Sequence, residues 1–286
     1  MRTTIGFLIV PQFGSDMDRM REAWVEADRL GADRLYTADH FFVPRAADYQ
    51  AERSRKGDPE AGRPVPRQGE EPPNFEAATI EAAMCVTTTH AEVACLVHCY
   101  AYRNPNLFAD MARTMDHLSN GRFVVGIGSG FHVKDFEEYG YDLGTHGARL
   151  RELEQALDVI KSRWRKLVPP PTREIPILMS GRGEKVSLRI VAQHADEWHC
   201  FGNLEYLEHK SAVLDQWCEK VGRDPSDIRR IAVVGDPDNP DNSPDDLVDA
   251  GFTHLVAMSY GPDWDLSELR ELLSWRDART PPDLPG

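Results

Sequence analysis

Several features are missing from this chain, and each absence removes a class of function. No apolar run approaches the roughly 18 residues that a membrane span needs, so nothing reads as transmembrane. Positive charge is scarce: 33 Lys and Arg stand against 47 Asp and Glu, a formal net charge of −14. Phosphate backbones are bound by clustered Lys and Arg, so nucleic acid is not expected as a partner. The 5 cysteines (Cys85, Cys95, Cys99, Cys200, Cys218) are odd in number and scattered, with no C-x-x-C pair. That excludes a disulfide framework and suits a reducing, cytoplasmic compartment. The opening MRTTIGFLIVPQFG has one Arg and a short apolar run ending at Pro11, and reads as a first β-strand rather than a signal peptide. No glycine-rich dinucleotide fingerprint follows it, since Pro11-Gln12-Phe13-Gly14 is not one. Repeats at solenoid periods are also absent.

What remains is a regular alternation. Short β-branched or apolar runs, Thr4–Val10, Arg34–Thr37, Glu92–His98, Phe123–Ile127, Ile175–Met179, Glu197–Cys200, Ile228–Val234 and His254–Met258, are each followed by apolar residues at helical spacing. In the first helix Met17, Met20, Trp24, Ala27 and Leu30 form one stripe that Gly31 closes. Another long helix begins near Gly147 and carries Leu150, Leu153, Leu157, Ile160 and Trp164. Eight strand–helix pairs imply an α/β fold of the (β/α)₈ barrel type, one domain over residues 1–286; a doubly wound open sheet is the alternative. Two segments break the rhythm. Arg45 to Pro73 is a Pro-, Gly- and charge-rich excursion, either a solvated loop or a lid over the barrel mouth. Gly235 to Pro244 reads as a surface loop.

Barrel active sites lie at the C-terminal strand ends. That rule selects Pro11 and Gln12, Asp39 and His40, Leu96 to His98, Ser129 to Phe131, Ser180 to Gly183, His199 to Asn203, and Ser259 to Gly261. His40 beside Asp39 suits proton transfer near neutral pH; the plainer reading is a capping Asp and a packed His. Ser180-Gly181-Arg182-Gly183, at the start of a helix, suits an anion, although glycine also serves merely to turn a chain. Gly126, Gly128, Ser129 and Gly130, ending the fourth strand, would let a flat ligand approach the backbone.

Taken together, GADRLYTADHFF, the stretch NGRFVVGIGSGFHVKDFEEYGYDLGTHGAR and IPILMSGRGEKVSLRIVAQHADEWHCFG resemble the luciferase-like monooxygenase superfamily, most of all its branch using the deazaflavin F420. The likeness runs from Thr4 to Asn203 and is weakest over Arg45–Pro73. It implies that His40 lies against the cofactor ring as the catalytic proton relay. It implies a cis non-proline peptide near Cys95, Leu96 or Val97 that props the ring, with His98 as a second polar contact or a buried filler. The Ser180–Gly183 turn matches the family's phosphate-holding GGGGEK element, with Ser180 and Arg182 replacing glycines. Ser129, Gly130 and His199 join Asp39 as expected cofactor neighbours, Asp196 as a backbone clamp at the barrel bottom, and Gln12, Phe131 and His132 as the substrate pocket. Phe131 stands where F420-dependent sugar-phosphate dehydrogenases carry an acidic proton donor, which argues against that activity. A short link between Trp164 and Ile175 also resembles the F420 branch, and Arg45, Arg53, Arg55 and Lys56 would suit an oligoglutamate tail.

The resemblance thus implies hydride transfer between F420 and a small organic substrate. A second possibility is an FMN-dependent monooxygenase supplied by a partner reductase. A metal-dependent barrel hydrolase using His40, His98, His132 and His199 and a non-catalytic cofactor carrier are further alternatives; no metal is expected. Members of the family are commonly homodimers, which the sequence does not test.

Overall fold

The computed structural model describes residues 2–11, 16–42, 73–235 and 242–279. The strands are β1 (Thr4–Val10), β2 (Arg34–Thr37), β3 (Glu92–Cys95), β4 (His98–Cys99), β5 (Phe123–Gly128), β6 (Ile177–Ser180), β7 (Glu197–His199), β8 (Arg229–Val233) and β9 (His254–Tyr260). The helices are α1 (Met17–Leu30), α2 (Ala77–Thr87), α3 (Pro105–Leu118), α4 (Val133–Tyr139), α5 (His146–Trp164), α6 (Ser187–His194), α7 (Leu204–Val221), α8 (Pro244–Asp249) and α9 (Ser267–Arg279). All strand pairings are parallel, in the order β3-β2-β1-β9-β8-β7-β6-β5-β4, and a direct β3–β5 pairing closes the ring. Because β3 and β4 are two halves of one interrupted strand, this is an eight-stranded (β/α)₈ barrel, as the alternation predicts.

Local chemistry sets the boundaries. Asp16 caps α1 by accepting from the Asp18 and Arg19 amides, and Gly31 ends it at φ 97°, a conformation open to glycine. Asn104 with Pro105 starts α3, and Asn203 caps α7 by accepting from the Tyr206 amide. Strand starts are fastened by a recurring Ala-Asp pair. Asp33 accepts from the Ile5 amide at 2.7 Å and Asp196 from the Ile177 amide at 2.8 Å, which places Asp196 at the barrel bottom as expected. Side chains alternate across each strand. One set fills the barrel (Leu8, Val10, Tyr36, Ala94, Val124, Leu178, Ile231, Val233, Val256), and the other packs against the helices.

The N-terminal end of the barrel is sealed by ions. Arg34, 1% exposed, donates to Glu197 Oε1 at 2.8 Å, to Glu92 Oε2 at 3.0 Å and to the Tyr36 hydroxyl at 3.1 Å. Arg229 adds a 3.4 Å contact to Glu197, and Thr4 Oγ1 meets His254 Nδ1 at 2.6 Å. Buried charge is tolerated here because each member is paired.

The structure revises several expectations. The charged stretch after β5 contains the short helix α4. Strand β6 begins at Ile177, and α6 begins at Ser187 rather than just after Gly183. The excursion, apart from Pro73, lies outside the described residues, as do its Arg45, Arg53, Arg55 and Lys56, Gln12, and 236–241 of the acidic loop.

Candidate active site

Three chain segments meet at the C-terminal mouth around Asp135, a wholly buried carboxylate in the first turn of α4. Its Oδ2 accepts from His40 Nδ1 at 2.8 Å and from the Tyr102 hydroxyl at 2.8 Å. Its Oδ1 accepts from the Phe41 and Phe42 amides at 3.1 and 2.9 Å, and His132 Nδ1 lies 3.1 Å away. Burial alone would raise this carboxyl, but hydrogen bonds from His132 and His40 outweigh it and hold the group well below the usual carboxylate range. His40 is thus anchored through Nδ1, half-buried, with Phe131 and His132 edge-on to its ring at centroid distances of 5.3 and 5.5 Å. Phe41, Tyr102, Phe136 and Tyr141 pack beneath as an aromatic footing. Sequence reasoning selected His40, Phe131 and His132 but missed Asp135. The available signal was the H-x-x-D spacing of His132 and Asp135, which puts both on one helical face.

Asp39 and His98 are turned the other way, toward α2 and α3. His98 Nε2 meets Glu81 Oε2 at 2.7 Å, and its Nδ1 lies 3.3 Å from Asp39 Oδ2. Asp39 also accepts from Arg103 at 2.7 and 2.9 Å and from the Cys99 amide at 3.1 Å, while Arg103 reaches Glu76. Burial would discharge His98, but Glu81 and Asp39 pull its imidazole up to about 9, so it is a cation between two carboxylates. His98 and Asp39 are both buried, and Asp39 braces β4 through the Cys99 amide.

The Leu96–Val97 peptide is cis, within the stretch the resemblance indicates. Five residues from Ala94 to His98 run against four from Val124 to Ile127, so the strand carries one extra residue as a bulge. The glycines of β5 serve this bulge. A Cβ at Gly126 would lie 1.8 Å from the Cys95 carbonyl oxygen, and one at Gly128 would lie 2.8 Å from Val97 Cγ2. The expectation that these two positions make room for a ligand is therefore corrected: the neighbouring strand fills them. Gly130 likewise admits the Cys99 sulfur, at φ 66°, with Ser129 beside it at the half-buried rim. Leu96, Val97 and Met258 cap the inner core while staying half-exposed, an apolar floor at the mouth.

On the far side of the floor, Ser180 Oγ lies 3.1 Å from Nδ1 of the wholly buried His199. Gly181, Arg182 and Gly183 follow as a half-buried turn, tied down by Trp198 Nε1 donating to the Gly181 carbonyl at 2.8 Å. A Cβ at Gly181 would collide with Ser187 Oγ at 2.1 Å, so this glycine is needed for the turn itself. Asn203 is occupied as a helix cap.

The four histidines of the metal-hydrolase reading do not form one set. His40 and His132 share Asp135, whereas His98 and His199 have separate partners. His40, His132 and Asp135 offer ligand atoms within 4.8 Å of one another, but both Asp135 oxygens already accept from protein donors.

Comparison with known proteins bears on this geometry. A family model described as luciferase-like monooxygenase matches residues 4–235. An uncharacterized protein of Mycobacterium tuberculosis is 25% identical over 224 residues, 66% of this chain and 78% of that one. Pyrimidine monooxygenase RutA of Klebsiella pneumoniae is 23% identical over 185 residues, 57% of this chain and 50% of its own. Among solved structures, an F420-dependent secondary alcohol dehydrogenase in complex with an F420-acetone adduct aligns over 93% of this chain and 96% of that chain. Its TM-score is 0.73 at 15% identity, a likeness of fold.

Proposed function

This chain belongs to the luciferase-like monooxygenase family, and on that ground we propose that it transfers a hydride between coenzyme F420 and a small organic substrate. The observation that carries this reading is His40, held through Nδ1 by a buried, fully engaged carboxylate at the edge of an apolar floor in the barrel mouth. The residues fit a flat, partly polar ring. Leu96, Val97 and Met258 offer a half-exposed apolar surface, with His40 on one side and Ser180 on the other. When bound, F420 supplies a ring carbon that takes or gives the hydride. The protein's part is to align the substrate on that floor, with Phe131 as an apolar wall, and to move a proton. Asp135 occupies Nδ1 of His40, which assigns proton exchange with the substrate to Nε2. The Gly181–Gly183 turn, with Arg182, is where the cofactor phosphate would lie. The short link over residues 165–176 between α5 and β6 favours F420 over flavin.

An FMN-dependent monooxygenase served by a separate reductase is the second reading, favoured by the sequence likeness to a pyrimidine monooxygenase. The deciding experiment is a paired titration of the protein with oxidised F420 and with FMN, followed by fluorescence quenching. Tight binding of F420 alone is the expected result. Preference for FMN would move the assignment to oxygen chemistry, and binding of neither would overturn both readings.

A further inference from the structure

Ser180 and His199 are partners in register on β6 and β7. Leu178 belongs to the inner core, so Ser180, two residues on, shares its face; Trp198 packs outward, so its neighbour His199 points in. The serine hydroxyl and the imidazole therefore meet inside the top of the barrel, 3.1 Å apart. Burial pushes the His199 imidazole down to about 3, so it is neutral under ordinary conditions. A neutral imidazole carries a single N–H. The second ring nitrogen, Nε2, is buried without a hydrogen-bond partner among the described residues.

Only two arrangements exist. With the proton on Nε2, a buried donor goes unsatisfied. With the proton on Nδ1, it is donated to Ser180 Oγ, and Nε2 is left as a bare acceptor. Orphaned buried N–H groups are rarer than under-satisfied acceptors, which favours the second arrangement. Ser180 then accepts from His199, and its own proton must point elsewhere. Ser180 is half-buried at the rim beside the floor, and His199 is its side-chain partner among the described residues.

We propose that His199 is a positioning residue that frees the Ser180 hydroxyl proton for an acceptor oxygen, carbonyl or phosphate, of the bound cofactor. What occupies the floor rests on the function proposed above; the polarity of the pair does not. In the opposite tautomer the serine proton would be spent on His199 Nδ1 and Ser180 could only accept from a ligand; with Nδ1 protonated that proton is available to it.

Two experiments test this. In the ¹⁵N-histidine-labelled protein without ligand, long-range ¹H–¹⁵N correlations report which ring nitrogen is protonated, with His199 assigned by its disappearance in His199→Asn. Protonated Nδ1 is expected, and protonated Nε2 would overturn the proposal. Titrations with F420 and FMN then compare Ser180→Ala, His199→Gln and His199→Asn. The Asn amide places an N–H near the Nδ1 position, whereas Gln places it near Nε2. Ser180→Ala and His199→Gln are expected to weaken the preferred cofactor about tenfold, the scale of one hydrogen bond. His199→Asn should recover most of that loss; equal losses for Asn and Gln would contradict the assigned polarity. Repeating the Ser180→Ala titration with riboflavin tells the two acceptor sources apart, since a loss that persists without the phosphate places the oxygen on the ring or its side chain. If the wild-type protein bound neither cofactor, the functional reading would fall, while the correlation spectrum would still decide the tautomer.

Discussion

Asp135 concentrates more of the site than any other residue, since it orients one imidazole, touches a second and fastens the backbone after β2. Replacing it with Asn keeps the shape but exchanges an accepting oxygen for an N–H that faces donors. Asp135→Asn should therefore cost about 2 kcal/mol of stability, the usual scale for an unsatisfied buried group. Turnover should fall by about tenfold or more, with cofactor affinity little changed, because His40 loses its orientation. Thermal melts with separate measurement of kcat and cofactor Kd check this; full activity in a stably folded variant would show that His40 needs no anchor. Asp135 also marks the limit of what the sequence discloses about the site. His40 was legible because it stands at a strand end beside a recognisable motif, whereas its partner lies 95 positions away in a charged stretch. Burial turned that charge into an anchor, and burial is settled by tertiary packing.

At the scale of elements, the barrel was legible almost strand for strand. Parallel strands are covered on both faces and so appear as continuous apolar runs, punctuated by caps such as Asp16 and Gly31. What the pattern could not convey is which neighbour uses a missing side chain. Gly126 and Gly128 looked like room for a ligand, yet they accommodate the bulge at Leu96 and Val97. That difference is testable. Gly126→Ala would drive a methyl into the Cys95 carbonyl, so it should destabilise the protein by about 3 kcal/mol or more and displace the floor. A denaturant melt showing wild-type stability would mean that the bulge yields easily.

For the whole molecule, three buried histidines set a window of stability against pH. The His98 imidazole is raised from 6.5 to about 9, so its contribution is complete below about 6.5 and is lost as pH climbs through about 9. Burial lowers His199 from 6.5 to about 3, and His254 is lowered in the same direction by burial and by Arg34 and Arg229. Their contributions are complete above about 6.5 and decline as the solution is acidified. The melting temperature should therefore be highest near pH 6.5, falling on the alkaline side as pH climbs from about 6.5 to about 9 and on the acid side below about 6.5, the alkaline fall vanishing in His98→Gln. A melting temperature indifferent to pH between about 6.5 and 9 would disprove the role given to His98. The ion pairs of Arg34, Glu92, Glu197 and Arg229 close one end of the barrel, and so leave it a single doorway. If a cofactor rests on Leu96 and Val97 as proposed, it would have to arrive before its companion and depart after it: the deeper guest would be first in and last out.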